Sequence, residues 1–147
     1  MTFDLRAAAR KALADNGFVA DFPPAVLSEV QQLGDPAKSE RIEVRDLKAL
    51  PWSSIDNDSS KDLDQVEVAE TLPNGDVRVR VGIADVDALV PLGSQTDKFA
   101  QANSTSVYTG VVTFPMLPER LSTDLTSLRQ DVERPVVVIE FTVSADG

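Results

Sequence analysis

Two alternating runs, VEVAETL (66–72) and VRVRVGIA (77–84), meet at Pro73-Asn74-Gly75-Asp76. Apolar residues at every second position mark a half-buried strand, and Asn-Gly between two such runs is a strong β-hairpin signal. No other feature restricts the fold as much, because a chain that contains it must build antiparallel sheet and bury one face of it. If the loop is Asn74-Gly75 alone, Pro73 faces Asp76, Val68 faces Val81, Val66 faces Ile83 and Asp64 faces Asp85. Val66 and Val68 are then the core face. If the chain is already extended from Lys61, alternation puts Asp62 and Asp64 on that same inward face. Two aspartates opposed in this way destabilise a hairpin unless a cation sits between them, and the register predicts Cβ atoms within about 6 Å of each other.

The flanking segments add helices before the hairpin and one more strand after it. Leu5–Ala14 places Leu5, Ala8, Ala9, Ala12 and Leu13 on one helical face and Arg6, Arg10 and Lys11 on the other. Asp4 is its expected N-cap and Asn16-Gly17 its stop. A second short helix runs from Ala25 to about Leu33, and Asp97–Asn103 reads as a third. Phe114–Pro118 is a rigid turn, since its two prolines fix the backbone. Val136–Val143 is a strand rich in β-branched residues, followed by a turn at Ser144–Gly147. The expectation is an α+β fold: short N-terminal helices, then a mainly antiparallel sheet with a hairpin. Asp35–Glu40 reads as a linker, which divides the chain into a helical segment with linker (1–40) and a second region (41–147). An Asp-Gly turn signal at the last two residues suggests the N-terminal piece of a longer protein.

Composition narrows the chemistry. The chain has no cysteine and no histidine. Disulfides, thiolate nucleophiles and Ser-His-Asp mechanisms are excluded within these residues, so any catalysis falls to carboxylates, with a metal as the natural helper. No run approaches the 18 or so apolar residues of a membrane span, and the N-terminus does not read as a signal peptide. A cytoplasmic location is the default expectation. The net charge of −10 argues against a general nucleic-acid surface within this segment.

The charge concentrates in SIDNDSSKDLDQVE (54–67), where Asp56, Asp58, Asp62, Asp64 and Glu67 surround a single Lys61. A solvated acidic loop is the plainest reading. An acidic calcium-binding loop is another: Asp56, Asp58, Ser60, Asp62, Asp64 and Glu67 follow EF-hand spacing, although Lys61 stands where that loop turns on glycine and the flanks are not amphipathic helices. A DxD nucleotide site, from Asp56-Asn57-Asp58 or Asp62-Leu63-Asp64, is a weak third. The fourth is a Mg2+ site for phosphodiester hydrolysis, which needs oxygen donors and no histidine.

Three collinear blocks favour the fourth. RDLKALPWSSIDNDSSKDLDQVEVAE, VGIADVDALVPLGSQTDKFAQANSTSVY and FPMLPERLSTDLTSL together resemble the opening of the catalytic domain of the ribonuclease II / ribonuclease R (RNB-domain) family. The resemblance implies a hydrolytic 3′→5′ exoribonuclease acting on single-stranded RNA, releasing nucleoside 5′-monophosphates with Mg2+ or Mn2+. It implies metal-site roles for Asp56, Asp62 and Asp64, with Asp64 most critical for catalysis. It also implies stacking of Tyr108 on the 3′-terminal base. Gln65 stands where many members have a further metal-binding aspartate; its amide carbonyl is a weaker donor, and Asp85 or Asp58 are the candidates to compensate. Gly82 replaces a frequent histidine and Thr126 a frequent cysteine, both read as packing changes. The family's catalytic domain continues beyond Gly147, and that part supplies most of the RNA channel, so this segment alone is expected to be inactive. Arg120, Arg129 and Arg134 are possible phosphate contacts. The competing reading is a non-catalytic metal- or RNA-binding relic of the same family.

Overall fold

The computed structural model describes residues 3–36 and 44–147. Three α-helices, α1 (Leu5–Asp15), α2 (Pro24–Gln31) and α3 (Gln95–Asn103), accompany a three-stranded antiparallel sheet. Its strands are β1 (Gln65–Thr71), β2 (Val77–Ala84) and β5 (Val136–Val143), with β2 in the centre. Strands β3 (Val107–Tyr108) and β4 (Thr113–Phe114) form a separate two-stranded ribbon. This is the expected α+β arrangement. The chain gathers into two compact units, Met1–Leu33 with Val90–Leu121, and Gly34–Leu89 with Ser122–Gly147. The boundary expected at 40/41 lies outside the described residues, as does most of the Asp35–Glu40 linker. By compactness, the N-terminal helices go with residues 90–121.

In the first unit, local signals decide the helix ends. The Asp4 carboxylate accepts hydrogen bonds from the Arg6 and Ala7 amides and caps α1. Gly17 follows the helix in the left-handed region, with φ +83°. Ser94 caps α3 by accepting from the Asp97 amide, and Asp97 reaches back to the Gly93 amide, a reciprocal pair of the capping-box kind. Glu29 of α2 accepts from the Gln95 and Thr96 amides and so ties α2 to the start of α3. Leu13, Val26, Val30, Phe99, Phe114 and Leu121 are buried. Buried Asn103 exchanges two hydrogen bonds with the Val19 backbone, at 2.9 and 3.0 Å, which no local pattern foretells.

The second unit contains the sheet, and here the hairpin departs from expectation. Val66 pairs with Gly82, Val68 with Arg80 and Gln65 with Ile83, one residue out of the two-residue-loop register. Pro73 is the reason. A two-residue loop would require an N–H from residue 73 to bond residue 76, and proline has none. The donor is instead Leu72, whose amide bonds Asp76 O at 2.7 Å, so the loop becomes Pro73-Asn74-Gly75. The Gly75 amide closes the turn on Leu72 O, with Gly75 at φ +90°. Proline at the first corner and a left-handed glycine after the second fit a type I turn with a bulge.

The slip separates the apolar rows. Val77, Val79, Val81 and Ile83 share a face with Val137, Ile139, Phe141 and Val143 of β5, while Val66 and Val68 lie on the other. That second face includes Arg80, which is buried and bonds Glu140 at 2.6 Å, with Glu70 and Arg78 extending the charge network across the three strands.

Candidate active site

The acidic segment is a loop closed at its base. Ser53 and Glu67 exchange backbone hydrogen bonds of 2.9 and 2.7 Å, so the chain leaves the sheet edge at Ser53 and returns in β1. Residues 54–64 lie between these points without regular structure, apart from a turn in which the Ser60 amide bonds Asn57 O. The closure leaves Asp56, Asp58, Asp62 and Asp64 exposed. The strand begins at Gln65, not at Lys61, so Asp62 and Asp64 are not the inward residues of an extended β1. Asp64 O instead accepts from the Ala84 amide, and exposure spares both carboxylates the cost of burial.

Four hydrogen bonds fix the second half of the loop. The Ser127 hydroxyl donates to Lys61 O at 2.7 Å and accepts from the Leu63 amide at 3.3 Å. The Leu128 amide bonds Leu63 O at 2.8 Å, and the Ala84 amide bonds Asp64 O at 2.9 Å. The first half is held differently: the Asp56 carboxylate accepts from the neighbouring Ser54 hydroxyl. Outside the loop, a hydrogen bond to Glu133, reinforced by the charges of Asp46 and Glu133, holds the Lys48 ammonium above the usual lysine range.

Asp85 does not oppose Asp64. The register sets Ala84 beside Asp64, and the Asp85 carboxylate caps the short 3-10 turn Val86–Ala88 by accepting from the Ala88 amide. The predicted cross-strand carboxylate pair is therefore corrected by the same slip that Pro73 causes. The EF-hand reading also falls, because its last position, Glu67, belongs to a strand and no helix follows the loop. Gln65 opens β1, exposed, on the face shared with Ile83. Tyr108 lies in β3 of the other unit and is 68% exposed as a residue. The three arginines are engaged within their own units. Arg120 donates to Gln31 O and Leu33 O at the end of α2, Arg129 pairs with Asp124, and Arg134 donates to Asp124 O and Glu133 O.

The donor set suits a hard divalent cation in kind: several carboxylates within one loop, with Gln65 adjoining and the Glu67 Oε2 atom buried beside it without a hydrogen-bond partner. The arrangement is less complete. Among the described residues, no group of three acids is placed to share one ion. Asp62 and Asp64 share a pinned tract, whereas the Asp56 carboxylate is bonded to Ser54 in the first half of the loop. The elements that do the pinning, Ser127 and Leu128, were not singled out in the sequence, where a serine between Thr126 and Leu128 has no distinguishing pattern.

Residues 44–147 match the family described as RNB domain. Exoribonuclease 2 of Erwinia tasmaniensis is 40% identical over 108 residues, covering 74% of this chain and 17% of that protein. Exoribonuclease 2 of Vibrio cholerae is 35% identical over 135 residues, covering 92% of this chain and 19% of that protein. The chain thus spans less than a fifth of the length of these curated relatives. Among solved structures, Mycoplasma genitalium RNase R in complex with double-stranded RNA superposes with a TM-score of 0.84 at 32% identity, over 97% of this chain and 26% of that one. The same enzyme with ribose-methylated single-stranded RNA gives 0.82 at 33% identity, over 95% and 22%.

Proposed function

The chain belongs to the RNB-domain family, and from that premise we propose that the protein carrying it is a hydrolytic 3′→5′ exoribonuclease that releases nucleoside 5′-monophosphates from single-stranded RNA. The observation that carries this reading is the continuous match over residues 44–147, which includes all the acids of the loop. The names of the relatives, exoribonuclease 2 and RNase R, and the RNA bound to the latter support it. A cytoplasmic location belongs to the same reading; among the described residues no helix is long and apolar enough to cross a membrane.

Asp56, Asp62 and Asp64 are the residues that would hold Mg2+ or Mn2+, with the Gln65 carbonyl as a weaker fourth donor. Bound there, a divalent ion supplies Lewis-acid stabilisation of phosphate charge and an acidified water. The chain's own residues account for the rest. The anchored tract 61–64 presents Asp62 and Asp64 to solvent from a fixed backbone, where a phosphate can reach them. Tyr108 offers an exposed ring for stacking on a base, an interaction worth about 1–3 kcal/mol and indifferent to sequence.

The test is hydrolysis of single-stranded RNA in Mg2+ by the protein at the length of its relatives, beside its Asp64→Asn variant. The reading expects kcat to fall by about a hundredfold or more while RNA binding holds, as for loss of one transition-state contact. Equal rates would remove Asp64 from the chemistry. A second reading, an RNA-binding relic without hydrolysis, draws on Gln65 and on the ungathered acids; RNA binding with no monophosphate released by the unsubstituted protein would establish it.

A further inference from the structure

The backbone that carries Asp62 and Asp64 is anchored from far away in the sequence, and one side chain makes the central contacts. We infer that Ser127 is a positioning residue for Asp62 and Asp64, an inference that rests on reading those aspartates as the acids of the active site. Ser127 is 1% exposed. Its hydroxyl serves as donor to Lys61 O and as acceptor for the Leu63 amide, the two peptide groups that flank Asp62. A hydroxyl is the smallest side-chain group that can do both at once. The next residue's amide, Leu128 N, takes Leu63 O, so adjacent residues hold both backbone groups of Leu63. On the far side, Ala84 of β2 holds Asp64 O.

The consequence is electrostatic. Nearby carboxylates repel, and a free loop would relieve the repulsion by spreading. Here the peptide groups on both sides of Asp62 are fixed before any ligand arrives, so Asp62 and Asp64 cannot drift apart through the backbone. At Asp56 the bond shown is to the side chain, which accepts from Ser54 within the loop. Ser127 therefore fixes the half of the acid set that holds Asp62 and Asp64.

The experiment is amide hydrogen exchange and Mn2+ titration, followed by NMR, on the 147-residue chain and its Ser127→Ala variant. In the variant, exchange at Leu63 should accelerate about tenfold or more, while the β2 and β5 amides keep their protection. The Mn2+ concentration that half-broadens the amide signals of Asp62–Gln65 should rise about tenfold, the scale on which outer partners of metal ligands act. Trp52→Phe, which removes the bond from Trp52 Nε1 to Leu47 O in the same unit, should lower Tm without moving the Mn2+ midpoint. If Ser127→Ala does not give a folded spectrum, Ser127→Cys keeps a group of similar size with a weaker hydrogen bond. Unchanged exchange at Leu63 overturns the inference. So does faster exchange with an unmoved Mn2+ midpoint, which would make the hydroxyl structural only. If the unsubstituted chain shows no Mn2+ broadening at residues 56–65, the metal reading fails instead, and the clamp is judged by exchange alone.

Discussion

At Gly82 the absence of a side chain is a packing requirement. A Cβ built there would lie 3.2 Å from Val66 Cγ2 and 3.6 Å from Val136 Cγ2, with the Trp52 ring 3.7 Å away. The neighbours belong to β1, β5 and the segment before the acidic loop, so none can retreat without shifting a partner. Gly82→Ala is therefore expected to destabilise the chain by about 1–3 kcal/mol, the usual cost of overpacking, measured as a drop in the urea midpoint at constant m. A stability equal to that of the unsubstituted chain would mean that Trp52 or Val66 gives way freely. The sequence suggested a packing change at this position. It did not show that Val66 would be the obstacle, because in the expected register Val66 faced Ile83.

At the scale of elements, the hairpin turn is where one residue governs many. Gly75 has φ +90°, a conformation that costs a side-chain-bearing residue strain, and it donates the bond that closes the turn on Leu72 O. Gly75→Ala should cost about 1 kcal/mol or more by equilibrium unfolding, because the strain cannot be relieved without breaking the Leu72–Asp76 pair. Loss of only a few tenths would show that another turn geometry is within easy reach. The helices were easier to read. Asp4 and Asn16-Gly17 act within a few residues of themselves, and spacing alone locates such caps. Val136–Val143 was equally plain, since seven of its eight residues are apolar or β-branched and leave little alternative. The register was not plain, because Asn-Gly and Pro73 pull in different directions. The missing proline N–H outweighs the turn preference, since it removes a ladder hydrogen bond outright.

For the whole molecule, the sheet presents two unlike faces. One buries Arg80 in a network with Glu140 and Glu70; the other leaves Val137, Ile139 and Phe141 roughly half exposed, at 54%, 51% and 46%. A contiguous apolar row of this kind on an outer strand favours association. The isolated chain should associate as its concentration rises, seen by light scattering on a sizing column, and Ile139→Lys should reduce that association. A chain that stays monomeric at high concentration would show that Glu67, Gln65 and the strand twist suffice to keep the face apart.

The sequence by itself determined the three α-helices, the hairpin strands, Val136–Val143, the family and the acidic loop, but not the short strands β3 and β4, because the former depend on residue type and on neighbours a few positions away. Only the tertiary structure decided how the strands align and where the aspartates stand. The register turned on which residue could donate the hydrogen bond at position 72 or 73. The tract of Asp62 and Asp64 is held by a serine 64 residues from Leu63 and 66 from Lys61. Contacts at that range leave no periodicity, so the acids could be named in advance while the hydroxyl that fixes them could not.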